Sequence, residues 1–272
     1  MAEKETRNKL KSLVEATPEE LSAIEKTIET EIRETPEPAK RLTRAEFAAQ
    51  RDKDALERSI SSWAPKTEIG RKVKAGEIKN IDEILGTGKK ILEPQIADSL
   101  MRLETDLLLI GQSKGKFGGG KRRAWRQTQK KTMEGNVPTF SCMAIVGDKK
   151  GHVGVGLGKS QETLPSRDKA LRDAKLNIIK VSRGFESPEQ EKDKSDPHTV
   201  PFKVTGKCGS VRVTLIPAPR GTGLVIGNEC KKILKLAGIK DVYSKTMGQT
   251  RTTFNTARAC IDALVKLSEM KQ

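Results

Sequence analysis

FSCMAIVGDKKGHVGVGLGKS, residues 140–160, is the stretch from which the fold reads outward. Phe140, Cys142, Ala144 and Val146 alternate with Ser141, Met143 and Ile145, the period of a strand with two different faces. Gly147-Asp148-Lys149-Lys150-Gly151 is the turn, and His152 to Gly158 is the return strand. Val153, Val155 and Leu157 share one face of that strand. The other face carries Gly154, Gly156 and Gly158, so a helix or another backbone can come close. Pro165-Ser166 then opens a helix through about Ser182, with Leu171, Ala174, Ile178 and Val181 as its apolar stripe. Lys169, Arg172 and Lys175 lie three apart on the flank of that stripe, placed to face a phosphate backbone.

Downstream, residues 186–198 are polar and carry Pro188 and Pro197, the composition of a linker. Val200–Thr205 and Ser210–Ile216 read as strands joined by Gly206-Lys207-Cys208-Gly209, and residues 217–223 as a loop. A helix over about Asn228–Leu236, a strand over Asp241–Ser244 and a helix over Thr253–Leu267 follow. Strands and helices alternate irregularly, which predicts an α+β protein with two small sheets. Upstream, Trp63-Ala-Pro65-Lys66-Thr67 reads as extended or turning and Ile91–Leu103 as a helix. Earlier still, Thr17-Pro18-Glu19-Glu20 opens a helix with Leu21, Ile24, Ile28 and Ile32 on one face. Thr43 with Glu46 forms a capping-box pattern.

Charge locates the partner. The 272 residues carry 52 Lys and Arg against 36 Asp and Glu, a net of +16. Residues 1–60 hold 12 basic and 14 acidic side chains, so the whole excess belongs to residues 61–272. An excess of that size points to a polyanion. Its densest part is QSKGKFGGGKRRAWRQTQKK, residues 112–131. Lys114, Lys116, Lys121, Arg122, Arg123, Arg126, Lys130 and Lys131 stand there without one acidic residue. Gly118–Gly120 make the first half a flexible loop, and Phe117 and Trp125 are interleaved with the charges. Glycine, basic charge and aromatic rings together point to RNA.

Other functions find little support. Gly158-Lys159-Ser160 resembles the end of a phosphate-binding loop, but position 153 is valine where that motif needs glycine. The Gly154-x-Gly156 and Gly221-x-Gly223 pairs each lack the third glycine of a dinucleotide fingerprint. His152 and His198 stand alone, and Cys142, Cys208, Cys230 and Cys260 show no metal-ligand spacing. Buried free thiols in a reducing compartment are expected, with no metal, cofactor or catalytic pair. No apolar run approaches the roughly 18 residues of a membrane span, and MAEKETRNKL carries no signal core, so a soluble, intracellular protein is expected.

From about Trp63 to Leu267 the chain resembles ribosomal small-subunit protein five in its archaeal and eukaryotic form. Four stretches carry the resemblance. They are WAPKTEIGRKVKAGEIKNIDEI (63–84), IVGDKKGHVGVGLGKS (145–160) with AKLNIIKVSRG (174–184), PHTVPFKVTGKCGSVRVTLIPAPRGTGLV (197–225) and KKILKLAGIKDVYSKTMGQTRTTFNTARA (231–259). The resemblance implies a double-stranded-RNA-binding-like domain over 105–183, with a three-stranded sheet and a helix on one face. A linker over 184–198 and a second α+β sandwich over 199–272 follow. A family-type extension over 61–104 and a helical or partly disordered segment over 1–60 precede them. It implies no enzyme but a structural constituent of the small ribosomal subunit in the cytoplasm. Its expected partners are small-subunit rRNA, mRNA at the channel through which it enters, and small-subunit proteins three, four and eight. Contact with protein four would support decoding accuracy. Lys159, Lys207 and Arg220 join the basic residues above as expected RNA contacts. Residues 185–196, FESPEQEKDKSD, stand where some archaeal relatives carry clustered cysteines, so no zinc site is expected there. A free RNA-processing enzyme or adaptor with a double-stranded-RNA-binding module is the alternative, and a protein-interaction module using the 1–60 stripe is a third. Both would leave the protein outside the subunit.

Overall fold

A computed structural model describes residues 57–58, 60–112, 122–186 and 196–269, which belong to the compact unit Leu56–Gln272. In chain order its elements are α1 (Glu68–Ala75), α2 (Ile81–Gly86), α3 (Pro94–Leu100), β1 (Glu104–Leu107), β2 (Trp125–Thr132), β3 (Gly135–Gly147), β4 (His152–Ser160), α4 (Thr163–Leu176) and β5 (Ile178–Lys180). Then come β6 (Val204–Cys208), β7 (Val211–Ile216), β8 (Leu224–Val225), α5 (Asn228–Ala237), β9 (Val242–Met247) and α6 (Thr253–Glu269). The helix stripe expected in residues 17–32, the capping box at Thr43, the glycines 118–120, and Lys114, Lys116 and Lys121 lie outside the described residues.

The expected hairpin forms, with β3 and β4 antiparallel from Phe140↔Ser160 to Gly147↔Val153. Asp148 shapes its turn, its Oδ1 accepting from the N–H of Lys150 at 2.7 Å and of His152 at 3.0 Å. The glycine face of β4 is where α4 lies. A Cβ built at Gly154, Gly156 or Gly158 would fall 2.0–2.2 Å from the α4 backbone. Across from those glycines sit Ser166, Ala170 and Ala174, buried and spaced by four. Small residues on both sides let helix and strand backbones touch, and the apolar stripe expected through Leu171 is displaced by that contact. The helix also ends earlier than expected, at Leu176. Ile178-Ile179 prefer a strand, and β5 pairs with β4 through Gly154↔Ile178 and His152↔Lys180. Ile178 and Val181 are still buried, but from a strand edge.

The first sheet runs β1-β3-β4-β5, with β2 also paired to β3. Five strands thus stand where the resemblance implies three, because β1 and β5 extend the edges. The second half of the basic stretch is not loop but strand: β2 pairs with β3 from Trp125↔Cys142 to Thr132↔Gly135.

An N-terminal helical layer rests against this sheet. Trp63, Val73, Ile81, Ile84, Ile91 and Ile96 form its core together with Ile178 of β5. The helix expected over Ile91–Leu103 is confined to α3, with Pro94 in its first turn. Glu93 before it is drawn elsewhere: Oε2 accepts from Trp63 Nε1 at 2.6 Å, and Oε1 from the N–H of Lys66 and Thr67.

The second sheet has the order β6-β7-β9-β8, with β8 parallel to β9. β6 begins at Val204 instead of Val200, since Thr199 bridges to Gly184. The turn to β7 is Gly209-Ser210, with Gly209 at φ 60°. β9 runs on to Met247, and α5 and α6 reach Ala237 and Glu269. A Cβ at Gly206 would meet Ala259 O at 2.0 Å, so α6 sits directly on β6 as α4 does on β4. One core joins the two sheets. Met143, Ile145 and Val153 pack with Ile233, Leu234 and Leu236 of α5 and with Val213, Leu215 and Leu264.

Candidate nucleic-acid interface

Between the two sheets opens a cleft of about 1070 Å³. One wall is the segment after β1 and the start of β2. Gly111 and Arg123 form an antiparallel bridge, with Gly111 N–H donating to Arg123 O at 2.7 Å. A Cβ at Gly111 would lie 2.1 Å from Trp125 O, so only glycine admits this crossing. The bridge fixes Arg122 and Arg123 at the cleft, and β2 adds Trp125 and Arg126. The opposite wall is the connection from β9 to α6, with Gln249, Arg251, Thr252, Thr253 and Phe254. Phe140 and Thr163 complete the lining. The four arginines are exposed. Among the described lining residues there is no carboxylate. The nearby Glu229 turns its Oε2 to the Leu109 N–H at 3.0 Å instead. Four guanidiniums around a concavity whose described lining carries no acid are an arrangement suited to bidentate phosphate contacts.

The other expected contacts scatter around this cleft. Arg126, Ser141 and Lys159 form one cross-strand row, so Lys159 extends the basic surface from β4. Lys130 and Lys131 are exposed farther along β2, and Lys169 and Arg172 on α4. Lys175 is turned inward: its Nζ meets Asp98 Oδ2 at 2.7 Å, both side chains mostly buried, tying α4 to α3. Lys207 lies on the outer face of the second sheet. Arg220 lines a separate small cavity with Asp196, His198, Lys240 and Asp241. Arg251 and Phe254 were missed in the sequence reading. Their signal was the run from Val242 to Ile261, which holds Lys245, Arg251 and Arg258 and no acid.

The histidines serve the scaffold. His152 Nδ1 lies 2.7 Å from Asp148 Oδ2 and its Nε2 2.9 Å from Asp82 Oδ1, while Lys180 also reaches Asp82. These contacts latch α2 onto β4. The hydrogen bond to Asp148 raises the pKa of His152 against the effect of burial. Burial pushes Asp148 up, but bonds from the His152 ring and from two backbone N–H groups outweigh it and hold the carboxyl at about 2. His198 Nδ1 is 2.9 Å from Asp241 Oδ2, and Asp241 Oδ1 accepts from Gly223 N–H. The four cysteines are free thiols, and all but Cys208 are buried. Among the described residues no group of three or more His, Cys, Asp and Glu is placed to hold a metal ion, and no helix is long and apolar enough to cross a membrane. Gly158-Lys159-Ser160 ends β4, and its backbone is paired with β3 instead of forming a phosphate-cradling loop.

Comparison with known proteins identifies the family. Residues 124–182 match the family model described as ribosomal protein S5, N-terminal domain, and residues 206–272 the one described as ribosomal protein S5, C-terminal domain. The chain is 50% identical over 214 residues to the small ribosomal subunit protein uS5 of Nanoarchaeum equitans, covering 78% of this chain and 91% of that protein. It is 43% identical over 225 residues to that of Methanococcus maripaludis strain C6, covering 82% and 91%. It is 46% identical over 206 residues to that of Pyrobaculum calidifontis, covering 75% and 94%.

Proposed function

The chain belongs to the ribosomal protein S5 family, and on that premise we propose that its arginine cleft grips the RNA of the small ribosomal subunit. It is a structural constituent of that subunit, not an enzyme. The observation that carries the cleft's role is the meeting of Arg122, Arg123 and Arg126 with Arg251, from distant parts of the chain, around described lining residues that include no carboxylate. Guanidiniums so placed displace counterions from RNA phosphates, and that release drives association. The exposed charges of β2 and the Arg126–Lys159 row continue the surface outward.

The finer assignment follows the family resemblance. The protein lies by the channel through which mRNA enters, with small-subunit proteins three, four and eight as neighbours in cytoplasmic ribosomes. Through protein four it supports decoding accuracy. The acid-free basic stretch of residues 112–131 supports a place beside RNA.

The test replaces Arg122, Arg123, Arg126 and Arg251 by alanine in the full chain. All four side chains are exposed, so the unfolding temperature should move little. Affinity for small-subunit rRNA should fall. The slope of log affinity against log salt should flatten by about 0.7–0.9 for each phosphate that is no longer neutralised, roughly three in all. An unchanged affinity and slope would refute the cleft's role. In a gradient the tagged parent should travel with the small subunit, and a protein that stays at the top would be a free RNA-processing factor instead.

A further inference from the structure

Resting on the RNA-binding reading above, we propose that the arginine cleft receives a single unpaired nucleotide of RNA, its phosphates on the arginines and its base against the aromatic lining. Size sets the first constraint. At about 1070 Å³ the cleft matches the upper end of the roughly 300–1,000 Å³ typical of small-ligand sites, so one nucleotide with its flanking phosphates fits a concavity that a double helix cannot enter. Lining chemistry sets the second. Charge alone would bind any phosphate backbone, but Trp125, Phe140 and Phe254 also line this cleft. Basic side chains combined with ring faces are what an unstacked base requires, and a paired base hides its faces within the stack. A third observation is the seating of Trp125. Its ring packs against the buried cluster of Cys142, Ala144 and Ala170, which fixes its place on the cleft wall.

The experiment uses the full chain and three short RNA duplexes. One is fully paired, one carries a single bulged fluorescent adenine analogue, and one carries an abasic residue at the bulge. The bulged duplex should bind about five- to hundredfold more tightly than the other two, the range expected of base–aromatic stacking, and its fluorescence should be quenched on binding. Phe254→Leu should abolish most of that preference and leave the salt slope unchanged. Arg251→Ala, at an exposed position, should weaken all three duplexes and flatten the slope. Equal affinity for the three duplexes with salt-dependent binding intact would overturn the nucleotide pocket and leave the RNA-binding reading standing. Loss of preference in Phe254→Leu counts for the pocket only if its unfolding curve matches the parent's. If that variant is unfolded, the abasic duplex decides, because it removes the base without altering the protein. Salt-independent or undetectable binding of every duplex would overturn both.

Discussion

Gly156→Ala puts a methyl group where α4 already stands. The new Cβ would lie 2.1 Å from Ala174 N, 2.3 Å from Ala170 O and 2.7 Å from Asp173 C. All three are backbone atoms of one helix, so no rotamer change relieves the clash. Ordinary contact begins at 3.4 Å, which requires the helix to retreat by about 1.3 Å, enough to forfeit about half or more of the dispersion energy along its seat. Overpacking of a tight core costs about 1–3 kcal/mol and occasionally more. A clash with fixed backbone belongs at about 3 kcal/mol on that scale. Removing a glycine from the unfolded chain returns about 0.4–1 kcal/mol. The expected net loss is therefore about 2 kcal/mol, or roughly 4–8 °C in melting temperature for a domain of this size. Urea and thermal unfolding of the full chain, followed by circular dichroism, measure it. Gly86→Ala is the control: it ends α2, nothing lies within 4 Å of its Cβ, and its stability should be unchanged or slightly higher. A Gly156→Ala loss below about 0.5 kcal/mol, the usual size of a neutral surface change, would show that α4 does not rest on the glycine face.

Two further outcomes follow from the ion pairs. The pKa of His152 is raised in the fold, so its latch to Asp148 and Asp82 contributes fully below the unfolded value of 6.5 and fades as pH rises through the folded value. The urea-midpoint gap between parent and His152→Gln should narrow as pH is raised above 6.5, and a gap constant with pH would refute the latch. Asp148 acts in the opposite sense: its contribution is full above 3.8 and is lost as pH falls toward about 2. Lys175→Met should lower stability by about 1–3 kcal/mol, because Asp98 loses its partner, while RNA affinity and salt slope stay at the parent values. A variant as stable as the parent but weaker toward RNA would return Lys175 to the phosphate-facing surface.

Local pattern was legible where local physics decides. Alternation from Phe140 to Val146 and the turn after Gly147 needed only neighbouring residues, and the empty face of Gly154, Gly156 and Gly158 announced a close backbone before any partner was known. The end of α4 was not legible. Ile178 and Val181 continue a helical spacing, and only pairing of Ile178–Lys180 with the free edge of β4 ends the helix in a strand. Lys175 looked like a surface charge on α4 until α3 brought Asp98 against it.

By itself the sequence determined the α+β class, the family and the polyanion partner, because period, glycine placement and charge excess are properties of the chain taken in order. Only the tertiary structure decided which charges act together. Arg122, Arg123 and Arg126 came to share one cleft when the β9–α6 connection carried Arg251 and Phe254 to the opposite wall. That approach depends on α5 packing between the two sheets, through Ile233, Leu234 and Leu236 against Met143, Ile145 and Val153. Burial of apolar surface between segments far apart in the chain is a non-directional force with no local spacing rule, so the position of the cleft is written in the packing and not in any one stretch of residues.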